Sequence, residues 1–238
     1  MNKQLFELYS SKWDELCSAM LPIIEKEEIK PANPLLLYIQ GKEEEVEDYS
    51  EADIRVMVFG QETNGWENNL LRANAFADMQ SLIDEYDKAF NTDDIFCKKT
   101  PFWREFDKFR NLLGEKYPNK KIRYVWNNIV KIGKAVGKGC PPDYIYNVER
   151  KYFSVIKDEI NIVKPNVILF LTGPNYDNKI SDVFGQVAHS AFSAFSEREL
   201  AKISIPNVEI AFRTYHPNYF LRSNISIEDF FEAIINEI

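Results

Sequence analysis

Short apolar runs that stop abruptly in polar tips alternate along this chain with longer stretches of helical periodicity. Residues 2–27 carry Leu5, Leu8, Trp13, Leu16, Met20 and Ile23 at rough helical spacing, and Pro31 and Pro34 end that stretch. The acidic segment 42–52 reads as a solvated loop or turn. Ile54 to Phe59, bounded by Gly60, predicts a first strand. Residues 68–90 read as a helix, and a second helix opens at Thr100-Pro101 and runs to about Leu113, with Thr as cap and Pro at the first position. Arg123 to Trp126 predicts a second short strand with Asn127 and Asn128 at its tip, then a loop rich in Lys, Gly and Pro. Residues 145–163 give the clearest amphipathic helix, through Ile145, Val148, Tyr152, Val155, Ile156, Ile160 and Val163, and Lys164-Pro165-Asn166 stops it. Val167 to Leu171 predicts a third strand, Gly173-Pro174 turns into a short helix, Val208 to Phe212 predicts a fourth strand, and Ser226 or Ile227 opens a final helix.

Apolar strands separated by helices imply a parallel sheet covered on both faces. In such sheets ligands bind outside the carboxyl ends of the strands. Three of the four predicted ends carry unusual polar residues: Gln61 and Glu62, Asn127 and Asn128, and His216. A carboxylate, an amide and an imidazole that converge there can activate water, read a planar hydrogen-bonding ligand and stabilise an anionic leaving group. Each residue also has a plainer role, the Asn as a turn former, the Glu as a helix cap and the His as a backbone partner. The other histidine, His189, lies among small residues and is expected to be structural or on the surface.

Composition narrows the picture. The chain has 238 residues, 45% of them hydrophobic, which suits one domain with a real core. No apolar run approaches the roughly 20 residues that span a bilayer, and the first residues have no signal-peptide character, so a cytoplasmic protein is expected. Cys17, Cys97 and Cys140 lie far apart without a CxxC spacing, so no metal or other cofactor is expected. Net charge is −8, which argues against strong nonspecific nucleic-acid binding. Yet residues 116–142 contain no acid and hold Lys116, Lys120, Lys121, Arg123, Lys131, Lys134 and Lys138. That window suits a phosphate-bearing partner, and it equally suits a solvated basic surface.

The polar tips resemble motifs of the uracil-DNA glycosylase superfamily. Gly60-Gln61-Glu62-Thr63-Asn64 is similar to its first motif, Trp126-Asn127-Asn128-Ile129-Val130-Lys131 to the segment after its second strand, Lys164-Pro165-Asn166 through Gly173 to its third strand, and His216-Pro217-Asn218 to its His-Pro-Ser motif. Order and spacing agree over roughly residues 54–222, with residues 1–50 outside as a helical N-terminal extension of a single domain, 1–238. The resemblance implies a three-layer α/β/α fold around a four-stranded parallel sheet, and a pocket for a base flipped out of DNA. It implies that Glu62 activates water or stabilises a cation, and that His216 stabilises the departing base. It further implies that Gln61, Asn64 and Asn128 contact the base, that Trp66 or Phe76 stacks on it, and that Phe220 wedges into the vacated stack. Lys131, Lys134, Lys138 and Arg222 are then the expected contacts to the DNA backbone. Against the family pattern, Glu62 stands for the usual Asp, Thr63 for the motif proline, and Asn218-Tyr219 for Ser-Pro. Three functions follow: a glycosylase for uracil or a related damaged base, a catalytically silent nucleic-acid or nucleotide binding module on the same fold, and an enzyme acting on free nucleosides.

Overall fold

A computed structural model describes residues 1–39, 49–66, 76–220 and 226–238. The protein is mixed α/β, with a six-stranded, mostly parallel sheet. The strands are β1 (Ile54–Asn64), β2 (Ile122–Lys134), β3 (Val167–Phe170), β4 (His189–Ala191), β5 (Leu200–Ile203) and β6 (Ile210–Thr214), in the order β2-β1-β3-β6-β5-β4. The four strands expected from the sequence are neighbours and run parallel. The expectation of a four-stranded sheet is corrected by β5 and β4, which add an antiparallel pair at the β6 edge. They are only four and three residues long, too short to leave an apolar alternation in the sequence.

The α-helices are α1 (Asn2–Lys26), α2 (Met79–Tyr86), α3 (Pro101–Lys116), α4 (Asp143–Tyr152), α5 (Ile156–Val163), α6 (Asp177–Phe184), α7 (Pro217–Phe220) and α8 (Ile227–Ile235). Helix α1 packs on α4 and α5, while α3 packs on α7 and α8. The buried side of α1, with Leu5, Tyr9, Leu16 and Met20, belongs to the same core as the sheet. The single helix expected over 145–163 is two, α4 and α5, separated at Phe153, whose amide donates to the carbonyl of Glu149. Both Phe153 and Val155 are buried, so the break continues the apolar pattern and leaves no trace in it. The helix expected over 68–90 begins at Met79, where the Asp78 side chain accepts from the Ser81 amide; residues 67–75 lie outside the described residues, as does most of the acidic segment.

Two strands are longer than expected, and this matters for the site. β1 continues through Gly60 to Asn64, so Gln61 and Glu62 lie within it, Glu62 opposite Val130. β2 runs for 13 residues, so Asn127 and Asn128 lie mid-strand. The far side of β2 is covered by the N-terminal segment: Ala32 N–H donates to Gly133 O, Leu35 N–H to Lys131 O, and Ala135 N–H to Lys30 O. That cover turns an expected polar loop into a buried strand.

Candidate active site

Asn128 stands opposite Gly60 in the β1–β2 register. A Cβ on residue 60 would sit on Asn128 Oδ1 and within 3.3 Å of the Phe102 ring. Glycine therefore lets the carboxamide and the ring close over β1. Beside them opens a cavity of about 490 Å³, walled by Trp66, Trp103, Trp126 and Phe102 and carrying Gln61, Glu62, Asn64, Asn128 and His216. Its volume falls in the usual range for ligand pockets, roughly 300–1,000 Å³.

The hydrogen-bonding sense of Asn128, Gln61 and His216 is fixed in each case by a partner of only one kind. Trp126 Nε1–H, which can only donate, reaches Asn128 at 3.3 Å, so that atom is the amide oxygen and the amide nitrogen supplies donors. The Thr172 carbonyl, which can only accept, takes Gln61 Nε2–H at 2.7 Å and leaves the Gln61 oxygen as an acceptor. The Asn218 backbone N–H donates to His216 Nδ1 at 3.1 Å, which places the proton of a neutral ring on Nε2. Burial holds that imidazole below its ordinary value, at about 4, so it is neutral through the physiological range. The Phe102 ring lies nearly parallel to the imidazole, 6.1 Å between centroids at 22°.

Glu62 is half-buried. Desolvation raises its pKa, opposed by a hydrogen bond from the Tyr176 hydroxyl, the nearby charge of Lys134 and the Gly139 backbone amide. Tyr176 OH donates to Glu62 Oε2. The site thus joins two donors, one acceptor and a desolvated carboxylate within aromatic walls.

Of the residues named from sequence, Gln61, Glu62, Asn64, Trp66, Asn128, Lys138 and His216 share this cavity. Others do not. Phe76 is buried against Trp13, 6.3 Å between centroids, and is not part of the wall. Phe220 is buried among Tyr215 and Phe230 and cannot wedge into a base stack from there; its neighbour Tyr219 is the exposed ring. Lys131 is fully buried, so it makes no phosphate contact, because its ammonium is paired with Glu159 at 2.7 Å. Lys134 turns its ammonium to the Lys138 carbonyl, and Arg222 lies outside the described residues.

The basic window does not form one face. Lys120 and Lys121 sit at the start of β2, beside Asp53 and Glu51. Lys134 ends the strand, on the order of 40 Å away at about 3.3 Å per residue. His189, on β4, is half-buried with Nδ1 3.7 Å from Asp177, whose carboxylate is gripped by Arg213.

Sequence reading missed Phe102, Trp103, Trp126 and Tyr176. Only Tyr176 had a usable signal, its place in the turn directly after the third strand. Among the described residues no group of three His, Cys, Asp or Glu side chains is placed to hold a metal ion, and no helix is long and apolar enough to cross a membrane. No protein-family model matches the chain, and no curated protein matches its sequence.

Proposed function

We propose that the cavity takes a base flipped from DNA and that the protein hydrolyses its N-glycosidic bond, with uracil or a closely related 2,4-dioxo base as substrate. One observation carries this reading: two oriented donors, Asn128 Nδ2–H and His216 Nε2–H, stand with the Gln61 acceptor and the Glu62 carboxylate in one aromatic-walled cavity. Uracil offers two carbonyl acceptors flanking an N–H donor, and so complements that set. Cytosine would turn an amino donor toward a donor, and its burial would leave both unpaired. The four parallel strands, three of which carry or lead into these groups, fit the three-layer fold that the resemblance implies.

The chemistry follows from the same atoms. Cleavage of the C1′–N bond sends its electron pair into the base, which leaves as an anion. His216 Nε2–H donates to the carbonyl where that charge collects; being neutral, it stabilises the anion without first losing a proton. Water adds its oxygen to C1′ and gives its proton to Glu62. The base anion takes a proton from solvent, and Glu62 returns its own. The Phe102 ring, beside both Asn128 and His216, is the candidate to stack on the base.

The test is single-turnover release of uracil from a labelled oligonucleotide, single- and double-stranded. Release should slow by about 10²–10⁴-fold in Glu62→Gln and by about 10²–10³-fold in His216→Ala. Equal release from wild type and Glu62→Gln would reject the mechanism. Saturable binding without release by wild type would instead identify a catalytically silent binding module.

A further inference from the structure

The turn after β3 is fastened to both strands that carry the proposed chemistry. Gln61 Nε2–H donates to the carbonyl of Thr172, and the Gly173 amide donates to the carbonyl of Thr214, two residues before His216. Gly173 has φ +78°, and a Cβ there would meet the His216 amide nitrogen at 3.5 Å. The turn then winds through Pro174–Tyr176 and delivers the Tyr176 hydroxyl to Glu62 Oε2. Tyr176 is itself buried, so its ring has little freedom to swing away.

We propose that Tyr176 is the positioning residue for Glu62, its hydroxyl fixing one carboxylate oxygen so that the ionised group is held at a set place in the cavity. This role rests on the glycosylase reading above. Glutamate has one more rotatable bond than aspartate, and a displacement of about 1 Å at a reacting group can cost about a hundredfold in rate. A single strong donor on one oxygen removes that freedom. The hydroxyl keeps its proton, because burial and the adjacent Glu62 charge push its pKa further above the ordinary phenol value, and it donates because an ionised carboxylate can only accept. Donation to the ionised form also favours that form, against the desolvation that opposes it.

The other groups facing Glu62 come from β2 and the loop after it. Lys134 and the Gly139 amide favour the carboxylate, while the Cys140 thiol nearby is pushed up, chiefly by burial and partly by Glu62. Of these, Tyr176 is the largest influence opposing desolvation, and the one whose removal leaves β2 untouched.

The experiment is site-resolved titration of Glu62 by carbon-13 NMR in the full chain, its resonance assigned by loss in Glu62→Gln. In Tyr176→Phe the midpoint should rise by about one unit, the scale of a charge-assisted hydrogen bond. The acid limb of single-turnover release should move up by the same amount. Incorporation of 3-fluorotyrosine at position 176, a stronger donor of the same shape, should move both down, and this keeps the test usable if Tyr176→Phe does not fold. An unmoved Glu62 midpoint in the folded variant, or in the fluorinated protein, overturns the proposal. Absence of base release in every form, with the midpoint still moving, would overturn the glycosylase reading and leave the Tyr176–Glu62 contact established as the control on that carboxylate.

Discussion

The ammonium of Lys131 lies 2.7 Å from a carboxylate oxygen of Glu159, and neither side chain is exposed to water. The same ammonium donates to Asn127 Oδ1 at 2.8 Å, and that oxygen also accepts the backbone N–H of Asn128 at 2.8 Å. Asn127 Nδ2–H returns to Glu159 at 2.9 Å, and Tyr9 OH, from α1, closes the set at 2.7 Å. A buried ion pair therefore sets the backbone position of the residue proposed to read the base. Burial of two charges is costly unless they are paired and hydrogen-bonded, and here Lys131 has two acceptors and Glu159 three donors.

Removing one member of that set should unfold more than it disarms. Lys131→Met leaves the Glu159 carboxylate buried without its cation, a loss of about 3–5 kcal/mol. Urea denaturation would read it as a lower midpoint. Lys138→Ala, at the cavity, should leave stability nearly unchanged and lower the salt slope of oligonucleotide binding by about one. A stable Lys131→Met protein with a reduced salt slope would return Lys131 to the DNA surface.

Gly60 offers a cleaner separation of site from fold. In Gly60→Ala the new methyl overlaps Asn128 Oδ1, the end of a side chain that can move aside, so the sheet should persist while the amide loses its place. Release should fall by about a hundredfold for a displacement near 1 Å. Asn128→Ala added to Gly60→Ala should then cost little more, because both changes act on one contact. Full additivity in kinetics would show that Gly60 matters for another reason.

The parallel strands were legible because each contains a short apolar run, although β1 and β2 extend well beyond theirs, and because tips such as Gln61-Glu62 and His216 interrupt those runs sharply. What stayed hidden was pairing over long distance. Asn127-Asn128 is a turn signal by composition, and distant residues make it a buried strand: Glu159, itself bonded by Tyr9 from 150 residues away, and the N-terminal segment that covers β2. The same holds for the site. Glu62, Asn128 and His216 stood at recognisable positions, but Phe102 is a single aromatic that nothing local separates from an ordinary core ring, and Tyr176 had only its place in the turn after the third strand to mark it.

The acid dependence of release should belong to Glu62, not to His216. Burial keeps the His216 imidazole neutral down to about 4, so it does not titrate between about pH 5 and 8. His216→Asn should lower the rate by a constant factor across that range. The Glu62 carboxyl, raised by burial, must lose its proton to act, so wild-type release should rise with pH through its midpoint. Stability carries the opposite signature for the histidine. Its folded pKa is depressed, so the unfolded chain takes up the proton first and wild type loses stability as pH falls from 6.5 toward 4. His216→Asn should lack that loss. A wild-type to variant rate ratio with a midpoint near 6.5 would mean that the imidazole is not desolvated.

Tyr219 and Phe220 should respond to truncation in opposite ways. Phe220 is 8% exposed and meets Phe230 at 5.2 Å between centroids, so Phe220→Ala opens a hole in the core and should cost about 3–5 kcal/mol. Tyr219 is 44% exposed, stacked on Tyr215 at 4.1 Å and adjacent to Asn218 in the cavity wall. It is the ring on this segment that can enter a gap left by a flipped base, and such a side chain matters only where a stack must be held open. Tyr219→Ala should therefore keep most of the stability, slow release from duplex DNA, and leave release from a single strand close to wild type. Equal slowing on both substrates would assign Tyr219 to support of His216 rather than to the DNA.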